Sequence, residues 1–162
     1  MSAIVELLGP ERQREGFSCG QPALDRYLRE RASQDVRRGI AQVFVALDDD
    51  RTTITGFYTL SATSFEREAL PLPLGKKPPH HPVPAALLGR LAIERSQQGR
   101  GLGTLLLADA VDRVTRVAAS IAVYALVVDA KDDAAARFYR SFGFMPFPVA
   151  TSRLVLPIRR LE

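Results

Sequence analysis

The sequence predicts a single α/β (α+β) domain, and three observations carry that prediction. An apolar run, Ala86–Glu94, breaks into a glycine-rich turn that opens a helix over Gly101–Val117. A nearly continuous apolar stretch, Ile121–Val128, follows and completes a βαβ unit with a strand buried on both faces. Upstream, Ile40–Leu47 and Thr53–Ser64 are rich in β-branched and aromatic residues. They flank Asp48-Asp49-Asp50-Arg51 and read as an antiparallel hairpin. With 162 residues and 46% hydrophobic content, the chain suits one domain, 1–162, able to bury a sizeable core.

The remaining elements follow from local patterns. A short strand is expected near Ile4–Leu8, then a turn around Gly16–Gly20. Leu24, Tyr27, Leu28 and Ala32 recur at helical spacing through Pro22–Arg38, with Pro22 in the first turn, where its missing N–H costs little. Pro71, Pro73, Pro78, Pro79, Pro82 and Pro84 are too dense for a helix or central strand, so that stretch reads as a loop. Lys131–Phe142 reads as a short helix ended by Gly143, with Phe144–Phe147 and Arg153–Ile158 as closing strands. The apolar C-terminal strand, Leu154–Ile158, is a candidate interface element.

Composition narrows the setting. The lone Cys19 cannot form an internal disulfide, the N-terminal residues lack the apolar core of a signal peptide, and no run approaches membrane-spanning length. A soluble, reducing, cytoplasmic setting is expected, with no membrane partner. No third ligand stands at metal spacing beside Cys19, so no metal is expected. The net charge is +4, from 22 basic and 18 acidic residues, and many of the arginines crowd the first forty positions. That face either steers a polyanion or is simply solvated.

The chemistry concentrates in Leu88–Gly103, LGRLAIERSQQGRGLG. Glycines at 99, 101 and 103 let the backbone approach an anion, and the next helix presents unpaired N–H groups at the positive end of its dipole. A pyrophosphate fits such a seat. The P-loop pattern fails because no lysine follows the last glycine, and the dinucleotide pattern fails because the x-x step is missing. Gln98-Gly99-Arg100-Gly101-Leu102-Gly103 instead fits Q/R-x-x-G-x-G/A, and so resembles the acetyl-CoA loop of the GNAT N-acetyltransferases. Ala134–Phe144 likewise resembles the A-x-x-F-Y-x-x-x-G-F signature that closes that core.

This resemblance implies a GNAT fold: a central mixed, mostly antiparallel sheet with a βαβ core that binds acetyl-CoA, flanked by helices. It implies cofactor contacts from Gln98, Gly99, Arg100, Gly101, Leu102, Gly103 and Thr104. It also implies backbone N–H groups of Leu91, Ala92 and Ile93, exposed where the strand splays at a bulge, that stabilise the acetyl oxyanion. Tyr139 is the expected catalytic residue. A thiol has a pKa of about 8.5 and a phenol about 10, so tyrosine stays protonated at neutral pH and can hydrogen-bond or protonate the departing sulfur, the family role. Glu94 and the paired His80-His81 have the chemistry of a general base, but their settings, a strand end and a proline loop, single out neither.

Substrate choice follows from amine basicity. A lysine amine starts at about pKa 10.4 and an α-amine near 8, and esterifying the carboxyl lowers the α-amine further, so aminoacyl-tRNA needs little help from a base. Gly16–Leu28, Gly56–Leu60 and Pro82-Val83-Pro84 before Leu88–Ala92 resemble the acetyltransferase toxins of bacterial type II toxin–antitoxin modules. The likeness implies acetylation of aminoacyl-tRNA, a block on translation, a homodimer and a cognate ribbon-helix-helix antitoxin. Under it, Arg90, Lys76, Lys77, Arg137 and the arginine-rich first helix are substrate-binding. Acetylation of a small-molecule amine or a protein lysine is the alternative, and a non-catalytic acetyl-CoA-binding module a third.

Overall fold

The computed structural model describes residues 4–10, 14–66, 69, 71, 82–148 and 152–158. Its strands are β1 (Ile4–Leu7), β2 (Gln42–Leu47), β3 (Ile54–Phe65), β4 (Val83–Ile93), β5 (Ala125–Asp129), β6 (Met145–Pro146) and β7 (Arg153–Pro157). They form one seven-stranded sheet in the order β1-β2-β3-β4-β5-β7-β6. β4 and β5 run parallel, Ala85 to Leu88 against Ala125 to Val128, as a βαβ crossover requires. The β1–β2, β2–β3, β5–β7 and β6–β7 pairs are antiparallel. The sheet is therefore mixed and mostly antiparallel. The helices are α1 (Pro22–Arg26), α2 (Ala32–Arg37), α3 (Leu102–Val117) and α4 (Asp133–Phe142).

Local chemistry explains the turns. In the β2–β3 hairpin, Arg51 takes φ 61°, and Asp50 Oδ1 accepts from the N–H groups of Thr52 and Thr53, both at 2.8 Å. Asp132 caps α4 by accepting from Ala135 N–H at 2.8 Å. Gly143 ends it at φ 122°, and Phe144 N–H donates to Tyr139 C=O at 3.1 Å, a Schellman-type closure.

Three expectations require correction. The helix predicted over Pro22–Arg38 is interrupted by a π-helical turn, Tyr27–Arg31. One inserted residue makes an eight-residue separation behave like seven, so Tyr27 and Asp35 fall within about 20° of one another instead of about 80°. The Tyr27 hydroxyl donates to Asp35 Oδ2 at 2.8 Å. β4 starts at Val83, so Pro84 lies in a strand and not in the proline loop; it is exposed, and its carbonyl accepts from Tyr124 N–H at 2.9 Å. β5 starts at Ala125 because Ile121 still closes the end of α3, its N–H bonded to Val117 C=O. β7 lies between β5 and the two-residue β6, which pairs with Leu154 and Val155.

The chain forms two compact units, Met1–Ser61 with Gly89–Ala110, and Ala62–Leu88 with Val111–Glu162. In the first, Phe17, Leu28, Val43, Val45, Ile54 and Phe57 form the core, Phe57 meeting Phe17 edge-on at 5.6 Å and Tyr27 in a stack at 6.2 Å. Each such fully buried side chain contributes about 1.5–3 kcal/mol. In the second, Val83, Ala85, Ala125, Val127, Phe147 and Val155 cluster, with Phe65 and Phe147 ring centroids 5.3 Å apart.

Gly56 positions the start of α3. A Cβ there would meet Leu106 Cδ1 at 2.9 Å, and the Ala92 carbonyl and Ile93 Cδ1 at 3.1 Å. Because a backbone oxygen cannot retreat as a side chain can, Gly56→Ala is expected to lower unfolding stability by about 1–3 kcal/mol, read by urea denaturation.

Candidate active site

The segment that leaves β4 is held by its own polar groups. Glu94 caps the 3-10 turn Arg95–Gln97: its Oε2 accepts from Ser96 N–H at 2.8 Å and from the Ser96 hydroxyl. Its Oε2 is thus engaged in a cap. Gln98 Nε2 donates to two backbone carbonyls, Ile93 and Cys19, each at 2.9 Å. Arg95 N–H donates to Ser18 C=O at 2.8 Å, so the loop before α1 and the loop before α3 are stitched together. The side chain of Gln98 therefore shapes the turn, a role that the motif alone did not reveal.

Beyond Gln98 the backbone turns through Gly99 at φ 79° and Gly101 at φ 84°. A Cβ built on either glycine meets nothing within 4 Å, so both open onto free space. Leu102 is buried and anchors the first turn of α3, while Arg100 and Thr104 are exposed and Gly103 half-buried. Leu105 N–H is the donor that closes onto Gly101 C=O, at 3.1 Å, which leaves the earlier N–H groups of Leu102, Gly103 and Thr104 outside the helical ladder. Open glycine backbone and orphan helix donors fit the pyrophosphate of acetyl-CoA. Leu91, Ala92 and Ile93 lie beyond Leu88, the last residue of the β4–β5 ladder.

In the second unit, Tyr139 sits on α4, only 7% exposed. Its ring packs between Phe138 and Phe144, with centroids at 5.3 Å and 5.5 Å. Among the described residues nothing hydrogen-bonds its hydroxyl. Burial pushes its pKa up to about 12, so the proton stays on at neutral pH. Arg137 is exposed on the same helix. Arg90, in the first unit, lies with its guanidinium 3.6 Å from the Tyr27 ring centroid. Lys76, Lys77, His80 and His81 fall outside the described residues.

Tyr27 also rises to about 12, through burial first and the Asp35 hydrogen bond second. Folded pKa values above the ordinary 10.0 mean that both hydroxyls keep protons that the unfolded chain loses. Stability from these groups is therefore full below about pH 10 and lost as pH rises toward 12. The urea midpoint is expected to stay level with respect to these tyrosines up to pH 10, and Tyr27→Phe with Tyr139→Phe should shrink the alkaline decline.

A profile of the acetyltransferase (GNAT) domain matches residues 39–146. The chain belongs to the GNAT acetyltransferase family. As a GNAT enzyme it is an acetyl-CoA-dependent acyltransferase. It is 41% identical over 140 residues to the tRNA-acetylating toxin of Mycobacterium tuberculosis, covering 86% of this chain and 82% of that protein. AtaT complexed with acetyl-methionyl-tRNAfMet matches with a TM-score of 0.90 at 32% identity, over 96% of this chain and 95% of AtaT. A Tyr-to-Phe mutant of AtaT, bound to the C-terminus of the antitoxin AtaR and to acetyl-CoA, matches at 0.82 and 29% identity, over 96% and 93%. Among the described residues, no helix of this GNAT chain is long and apolar enough to cross a membrane.

Proposed function

We propose that this GNAT enzyme moves the acetyl group of acetyl-CoA to the α-amine of aminoacyl-tRNA and thereby acts as a translation-blocking toxin of a toxin–antitoxin pair. The observation that carries this reading is the likeness to AtaT in its acetyl-methionyl-tRNA complex, which spans nearly all of both chains. A single acetyltransferase domain, 1–162, is the organisation proposed, since the family profile runs through both compact units.

Acetyl-CoA supplies the activated acetyl thioester when bound. Gly99, Arg100, Gly101, Leu102, Gly103 and Thr104 would hold its pyrophosphate through backbone N–H groups, with Gln98 bracing the turn. The N–H groups of Leu91, Ala92 and Ile93 serve as donors to a carbonyl oxygen. Tyr139 holds a proton at its hydroxyl, ready for a sulfur leaving group. Arg90, Arg137, Lys76, Lys77 and the exposed arginines of α1 and α2 take the phosphates of tRNA. A ribbon-helix-helix antitoxin, a homodimer and a cytoplasmic site of action, where charged tRNA is found, complete the proposal.

Incubation with labelled acetyl-CoA and a complete pool of charged tRNA, beside a Tyr139→Phe control, tests it. Label on the aminoacyl moiety after nuclease digestion, lost in the control, is the expected result and names the amino acid. Label on a small amine or a protein lysine instead would overturn the tRNA reading and leave the acetyltransferase intact.

A further inference from the structure

Arg90 is held by an aromatic ring. Three other described arginines are half-buried: Arg14 donates to Gly9 C=O and to the Ser33 hydroxyl, Arg153 pairs with Asp129 at 2.8 Å, and Arg113 has a partner as well. Arg26, on the exposed face of α1, lies 3.8 Å from Glu30. Arg90 is half-buried too, yet among the described residues no carboxylate or carbonyl takes its N–H groups. What holds it is the face of Tyr27, 3.6 Å from the guanidinium carbon.

Tyr27 is a rigid platform. It is 4% exposed, its other neighbour is Phe57 at an interplanar angle of 14°, and its hydroxyl is tied to Asp35 across the π-helical turn. That turn brings Tyr27 into line with Asp35, and the hydrogen bond anchors the hydroxyl end of the ring. A guanidinium stacked on a fixed ring keeps its planar fork of donors free and pre-oriented, the geometry that takes two oxygens of one phosphate. Arg90 also directly precedes Leu91–Ile93, so an anion on its fork lies beside the strand segment proposed to handle the acetyl group. A phosphodiester near the aminoacyl end of the acceptor strand has the charge and the position.

We infer that Tyr27 is a positioning residue that holds Arg90 as a preformed receptor for a backbone phosphodiester of the substrate nucleic acid. The inference rests on the tRNA reading above and adds to it a specific pair and a reason for the π-helical turn. Asp35 acts through Tyr27 and does not touch the ligand.

The test measures KM for charged tRNA, the dependence of tRNA binding on salt, and acetyl-CoA affinity by calorimetry. Arg90→Gln is expected to raise the tRNA KM about tenfold and reduce the salt slope by about 0.7–0.9, one phosphate contact, with acetyl-CoA affinity unchanged. Arg90→Lys keeps the charge but loses the fork, so the slope should persist while KM rises roughly threefold. Tyr27→Phe keeps the ring but frees it from Asp35 and should raise KM about twofold, whereas Tyr27→Leu loses the ring and should raise KM further, with the slope intact in both. If Tyr27→Leu does not fold, Tyr27→Phe decides the positioning role, and a native KM in it overturns that role. An Arg90→Gln variant that binds tRNA as well as the wild-type protein, with the same slope, overturns this inference alone; loss confined to acetyl-CoA binding overturns it in favour of a cofactor role. A wild-type protein that binds no tRNA removes both readings.

Discussion

Tyr139→Phe is expected to slow acetyl transfer by roughly 10²–10⁴-fold, the range over which a positioned general acid contributes. The substitution removes one oxygen and keeps the ring, so the packing against Phe138 and Phe144 survives. No hydrogen bond to the described residues is lost with it, and deleting a buried hydroxyl that lacks a protein partner should leave stability level or slightly raised. Burial holds the phenol near pKa 12, so the native enzyme should show no alkaline loss of activity from this group in the neutral range. The decisive pair of readouts is turnover and melting temperature. A collapse of the first with the second unchanged marks a catalytic hydroxyl, while retained turnover would reduce Tyr139 to a core residue.

Gly101→Val is expected to weaken acetyl-CoA binding by about 10–100-fold, the worth of a charge-assisted hydrogen bond of about 1.5–3 kcal/mol. At φ 84° a β-branched residue is strained by about 1–3 kcal/mol. Its side chain would meet no protein atom, because the space is open, and so it would occupy the volume that the pyrophosphate needs. Gly99→Ala provides the comparison, since it shares the strain at φ 79° but adds a single methyl group at the motif's variable position. Calorimetric titration with acetyl-CoA separates the two: both variants should lose stability, and Gly101→Val should lose far more affinity. Native affinity in Gly101→Val would place the pyrophosphate elsewhere.

Local features were legible in advance where their cause was local. Gly99, Gly101 and Gly143 all take positive φ, as a phosphate turn and a helix stop need, and Pro22 sits in the first turn of α1. The hairpin at Asp48–Arg51 formed because Asp50 can bond the N–H groups two and three residues on. Misreadings arose where neighbours decide. Apolar residues at 121–123 look like a strand, but a strand needs a partner, and the backbone meets Pro84 and Ile158 only at Tyr124, with the regular ladders running from Ala125. Pro84 looks like a loop residue, yet its carbonyl still bonds Tyr124.

The order of residues alone was enough to specify the acetyltransferase signature, the glycine turn and Tyr139, because backbone conformation and motif spacing are set within a few residues. Folding decided which groups those motifs lean on. Gln98 reaches Cys19 across 79 residues, and Tyr58 donates to Asp109 at 2.5 Å across 51. Arg90 found its place on Tyr27 in the same way. Partners of this kind have no local sequence signal, since a polar side chain is satisfied by whatever adjacent strands and helices bring within about 3 Å of it.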